Sequence, residues 1–361
     1  MTTDAELSQK RQEVREEIFA LKEQIPSAQI LNKLGLSFKP NSPGYWLSNI
    51  VLLNIIVLGP WVIIGLPLKE FKTLTFDFIR NAVIFIELFI LGFIMSNTAV
   101  QDIFNGIANR IIENINKVND LYRMLGWLKQ SWSRQNVLAI NLPMLAIWMV
   151  GTRPMEFLGF GSFFTSILVG IMIGIFVFNY GWMLPFISNL KEYHYEMNTF
   201  SPADSEIVNS ISEILSKSMY LVTAYVAIAS LVSAAIYALA PSGNQMSGWG
   251  LSIILTTIAW IMIITSFILT RSNLGAITNR AKWKTLNRIR DKINALEATS
   301  DLSDKDTAER LLRLADIHKQ VMASQTKIFD LKSVSTLFSQ LMLPLLGLLL
   351  GNIEKLFELF W

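Results

Sequence analysis

One carboxylate stands inside a long apolar run: Glu87, in IFIELFIL. A charge at that depth in hydrocarbon is costly. It is either held by a neighbouring amide, hydroxyl or indole, or it serves as a proton or cation site. A second set of residues lies near the C-terminus. Thr336, Ser339, Gln340, Leu343, Gly347, Leu350 and Gly351 follow at helical spacing and put hydroxyls, an amide and glycines on one side of an apolar run. The opposite side is Leu337, Leu341, Leu345 and Leu348, and Pro344 removes one backbone bond near the middle. Hydroxyls and an amide can replace part of an ion's hydration, and leucines can gate by dewetting. The chemistry is that of a pore lining. The competing reading is a packing helix whose glycines allow close approach.

Other chemistry is sparse. There is no GxxxxGK[ST], no GxGxxG after a strand, no HExxH and no GxSxG. With no cysteine there is no disulfide, thiolate metal site or cysteine nucleophile. The two histidines, His194 and His318, lie in different segments with no carboxylate pattern around them in sequence. We expect no metal, no cofactor and no enzymatic activity. Asn54, Asn141 and Asn179 stand in apolar runs and suit helix–helix hydrogen bonds, while Gly170 and Gly174 form a small-xxx-small pair for close packing.

The elements that must position these residues are helices. Hydrophobic residues make up 52% of the 361-residue chain and charged ones 16%, against about 25% charged in soluble domains. The composition indicates an all-α integral membrane protein. The net charge of +3 is too small to point to nucleic acid. Seven runs approach the ~20 residues that cross a bilayer: 46–68, 80–98, 137–152, 160–188, 218–240, 249–271 and 334–351. With the N-terminus inside, 26 of the 31 Lys and Arg residues fall on the cytoplasmic side. The C-terminus is then extracytoplasmic, in the plasma (inner) membrane. The polar first 45 residues do not read as a signal peptide.

Five stretches follow. They are a cytoplasmic N-terminal helix (1–45), six spans with helical extensions (46–271), a cytoplasmic helical hairpin (272–333), the seventh span (334–351) and a short outer tail (352–361). Apolar stripes mark the extensions: Leu7, Val14, Ile18, Leu21 and Ile25 at the N-terminus, and Ile103, Ile107, Ile111, Ile115 and Val118 beyond the second span. Ser201, Pro202 and Asp204 read as the capped start of a helix carrying Ile207, Ile211, Ile214 and Leu215. Leu286, Ile289, Ile293 and Leu296 continue the sixth span, with a break at 299–303 and Ser303 capping the return helix. Packed together, these stripes form a helical bundle beneath the membrane.

This layout resembles the seven-transmembrane ion channel superfamily of insect odorant and gustatory receptors. The shared points are an inside N-terminus, seven spans, short outer loops, long helices under the membrane and a last span near the C-terminus. In place of the family's Thr-Tyr, five hydrophobic residues and Gln-Phe, this chain has Thr336-Leu337 and Gln340-Leu341, more closely spaced and without the aromatics. The resemblance implies a homotetramer anchored by its cytoplasmic helices, with Thr336, Gln340, Leu343 and Gly347 facing a central pore. It also implies a small-molecule pocket among the first six spans, near aromatics such as Trp61, Trp148, Tyr237 and Trp260, although aromatics at span ends also anchor helices in the interface. The expected function is a homo-oligomeric ion channel whose partners are lipid, inorganic ions and a ligand. Two other readings stay open: a secondary transporter using Glu87, and a non-transporting scaffold or sensor.

Overall fold

The computed structural model describes residues 4–25, 29, 33, 42–68, 76–152, 160–198, 201, 205–216, 245–299 and 305–323, with 335, 338, 339, 341 and 342 near the end. Among them the fold is all-α, and an isolated antiparallel bridge joins Ile115 to Tyr195. The helices are α1 (Asp4–Lys22), α2 (Pro43–Gly65), α3 (Phe76–Gly106), α4 (Val118–Ser131), α5 (Arg134–Thr152), α6 (Phe160–Leu190), α7 (206–216), α8 (Gln245–Thr299) and α9 (Lys305–Ala323). Among the described residues two stretches, Pro43–Gly65 and Gly161–Leu190, are long and apolar enough to cross a membrane. The run at 218–240 lies outside the described residues.

The helices form two tiers. In the apolar tier, α2 starts at Ser42, whose hydroxyl accepts from the Tyr45 amide at 3.2 Å, with Pro43 at the first helical position. Tyr45, Asn49, Leu53, Val57 and Trp61 recur every fourth residue on its buried side. Of these, Leu53, Val57 and Trp61 cluster with Ile86, Ile90, Phe93 and Ile94 of α3 and Val169 and Met172 of α6. The outward side is equally apolar: Ile63 of α2 and Val150 of α5 are each 73% exposed. On α5 and α6 the small residues act as expected. A side chain at Gly170 would meet Leu145 and Trp148, and one at Gly174 would meet the Asn141 backbone. Pro143 sits inside α5 without ending it.

The base tier buries the amphipathic stripes. Val14, Ile18, Leu21 and Ile25 are all buried in a cluster that also holds residues of the lower parts of α3 and α6 and of α4, α7 and α8. Polar contacts fix α1 in place: Arg15 donates to the Ala108 carbonyl at 3.0 Å and pairs with Glu113 at 2.6 Å, and Lys129 pairs with Glu17. Because α6 is 31 residues long, about 46 Å at 1.5 Å per residue, its last turns reach into this tier. There Trp182 stacks on Phe104 (centroids 5.6 Å apart), on Phe186 (5.4 Å) and on Trp127 (6.1 Å), with Trp132 edge-on to it.

Two expectations need correction. The stripe from Ile103 to Val118 is not one helix. A π-helical turn at Ile107–Ile111 and a 3-10 turn at Ile112–Asn114 end α3, and Ile115 is extended. The neighbouring 193–197 segment competes successfully for the backbone: Asn116 donates to the His194 carbonyl (3.0 Å) and Glu196 to the Asn114 carbonyl (2.7 Å). Arg11 takes the Ile115 carbonyl at 2.8 Å. Ile115 stays fully buried, so the stripe marked burial correctly while the helix broke. The helix expected from Ser201 instead begins after Ser205, whose carbonyl accepts from Val208 and Asn209 and whose hydroxyl accepts from the Asn198 amide.

The hairpin between α8 and α9 matches its stripe. Leu286 and Ile289 pack on Val321 with Ile293, Leu314 and Ile317 around them. Lys282 donates to the Met322 carbonyl at 2.8 Å. Ser303 lies outside the described residues.

Candidate functional site

Of the last-helix residues, Thr336, Gln340, Leu343, Gly347, Leu350 and Gly351 lie outside the described residues. Ser339 is on helical backbone and exposed, as are Ser335 and Phe338. Leu341 packs on Ile263 and Phe267 of α8. At 100° per residue, Phe338, Met342, Ser335 and Ser339 spread from about 60° to 160° away from Leu341, which separates a face on α8 from an uncovered face bearing hydroxyls.

Glu87 sits on α3 in the apolar tier, partly buried. The Asn54 amide of α2 donates to its carboxylate at 3.1 Å and to the Ile50 carbonyl at 3.0 Å. The arrangement ties α2 to α3 through one amide, one of the partner types left open by the sequence. No group of three or more metal-ligating side chains occurs among the described residues.

Below Glu87 lies a buried polar seam that the sequence reading missed apart from Asn179. The Asn179 amide donates to Ser96 at 2.9 Å and to Asn97 at 3.4 Å, Tyr180 bonds Ser266 of α8 at 2.9 Å, and Gln101 donates to the Tyr45 hydroxyl at 2.9 Å. Further polar atoms of Asn97, Thr98, Asn179, Thr270 and Asn273 are buried without a partner among the described residues. Water suits such groups, since leaving each dry costs about 1–3 kcal/mol. The signal was present: Ser96-Asn97-Thr98 is a polar triplet at the end of an apolar run, on the helix that carries Glu87. Trp61 and Trp148, suggested as pocket aromatics, pack into the core of the apolar tier.

A second constellation corrects the reading of His194. The Asp120 carboxylate, only 6% exposed, lies 2.8 Å from His194 Nδ1 and accepts the His194 backbone N–H at 2.9 Å. Arg123 approaches its other oxygen at 3.4 Å, donates to the Glu192 carbonyl at 2.6 Å and lies over the Tyr193 ring. The partners are 74 residues apart, beyond any local pattern. The network clamps the 192–196 segment to the start of α4.

Burial pushes the Tyr193 phenol up to about 12, with Arg123 pulling the other way. Burial also raises Tyr195 well above the ordinary value. A raised pKa means that the folded state holds its proton longer than the unfolded chain. The associated stability is therefore intact below pH 10.0 and lost as the pH rises towards about 12. In an ultraviolet titration, Tyr193→Phe is expected to remove one of the late-titrating phenols. Loss of a component near pH 10 instead would contradict this placement.

The geometry comprises a terminal helix with one uncovered hydroxyl-bearing face, a paired carboxylate above a polar seam, and a clamped base. No protein-family model, curated protein or solved structure matches this chain.

Proposed function

We propose that this chain is an integral membrane protein with seven spans that assembles with copies of itself and conducts ions along a central pore lined by the last helix. The observation that carries the reading is the division of that helix: Leu341 rests on Ile263 and Phe267, while Ser335 and Ser339 stay exposed in the single chain. A segment that rests one side on α8 and leaves small hydroxyl residues exposed on another has a face on which a partner copy can pack closely. The outward apolar residues of α2, α5 and α8 suit a hydrocarbon surround, and the base tier offers helices through which copies can be held together. The tetramer rests on the family resemblance.

The test is single-channel recording of purified protein in planar bilayers. Ser339→Trp or Gln340→Trp is expected to lower unitary conductance severalfold, and Leu343→Ser to raise open probability. A strictly monomeric, electrically silent protein overturns the proposal. The carboxylate of Glu87 within an apolar run motivates a second reading, a carboxylate-dependent transporter. Saturable uptake abolished by Glu87→Gln, with no unitary currents, selects it.

A further inference from the structure

A cavity of about 850 Å³ opens in the base tier between the 191–197 segment and α8. Five permanent cations line it, Lys117, Lys191, Arg280, Lys284 and Arg288, against two carboxylates, Glu196 and Asp291. All five cations are exposed, and none forms an ion pair among the described residues. Arg280, Lys284 and Arg288 stand at i, i+4 and i+8, so one side of α8 presents three like charges over about 12 Å. Like charges at that spacing destabilise a helix. They are favourable where an anion lies between them. Across the cleft the backbone is fixed: Arg280 donates to the Lys191 carbonyl at 3.3 Å, and the Asp120 network pins His194. Trp283 stands at the cleft 61% exposed, a flat apolar face beside the cations.

We propose that this cleft binds a small anion bearing two or more phosphates. The cations are too many and too widely spread for one carboxylate, and the cavity has room for an organic polyphosphate. Arginine forks and lysine ammonium groups together match phosphate oxygens. The cleft begins at Ile277, six residues and about 9 Å along the helix beyond Arg271, where the apolar run of α8 ends, and its first cation on α8 is Arg280. That depth admits either the headgroup of an anionic phospholipid reaching down or a soluble compound such as a nucleoside triphosphate. The inference does not depend on ion conduction.

The experiment measures thermal unfolding and binding with the full chain. One arm uses nanodiscs of phosphatidylcholine with added pyrophosphate or ATP. The other uses nanodiscs containing cardiolipin, with no added anion. Wild type is compared with Lys284→Glu/Arg288→Glu, and with Arg310→Glu/Lys319→Glu, which changes the charge equally on α9 away from the cleft. Stabilisation of the wild type and the α9 variant by pyrophosphate or ATP, with affinity reduced at least about tenfold in the cleft variant, identifies a soluble ligand. The same pattern with cardiolipin alone identifies a lipid headgroup. The proposal is overturned if no anion stabilises the wild type, or if both double variants lose the effect equally, which is the signature of diffuse charge. All four substituted positions are exposed, so each variant is expected to fold.

Discussion

Replacing Trp182 by alanine is expected to cost about 4 kcal/mol, close to a thousandfold in the folding equilibrium. Trp182 is 4% exposed and forms the centre of an aromatic stack joining three helices: Phe104 of α3, Trp127 of α4 and Phe186 of α6. Trp132, just after α4, meets it edge-on with centroids 5.6 Å apart. Alanine would remove the packing of all four rings and leave a void that rigid helices cannot close. Each aromatic pair adds about 0.5–1.5 kcal/mol beyond its area. The indole N–H has no partner within the described structure, so Trp182→Phe keeps most of the stacking and gives up no hydrogen bond. It is expected to cost below about 1.5 kcal/mol. Unfolding midpoints in detergent check both values. Equal losses for the two variants would mean that the nitrogen, not the ring, matters.

Asp120→Ala is the second large effect, expected at about 3 kcal/mol. One carboxylate satisfies the His194 backbone N–H and ring nitrogen and faces Arg123. Alanine would leave a buried donor unpaired and Arg123 without its anion. The loss should be local. Amide exchange at Asn116 and Glu196, which bond the His194 and Asn114 carbonyls, is expected to accelerate well before global unfolding. His194→Ala should cost less, because the carboxylate still holds the backbone N–H. Unchanged protection at both amides in Asp120→Ala would refute the clamp.

What was readable in the sequence was burial. The spacing of Val14, Ile18, Leu21 and Ile25 gave both the helix and its buried side, and Leu286, Ile289 and Ile293 gave the hairpin seam. Periodicity works there because each helix buries one continuous face along its length. It failed at Ile115, where burial continued but the backbone found better hydrogen bonds across 80 residues than along its own helix. That Glu87 needs a polar partner was legible, because hydrocarbon leaves a carboxylate few alternatives, but which residue supplies it was not. The clamp of Asp120 and His194 was not, since both residues are ordinary in polar segments and only the meeting of α4 with the end of α6 gives them a role. The cleft was hidden for the same reason: Arg280, Lys284 and Arg288 read as the solvated face of a long helix until a second segment supplied the opposite wall.

α8 runs unbroken for 55 residues, from the apolar tier through the base and into the hairpin. Such a rod acts mechanically as a lever. Its best-defined fulcrum is Ser266, held by the Tyr180 hydroxyl. From there to Thr299 the arm is about 50 Å, so a swing of about 5° displaces the far end by about 4 Å. Because Ile263 and Phe267 beside that fulcrum carry Leu341, leverage applied to the hairpin is delivered, geared down, to the helix at the end of the chain.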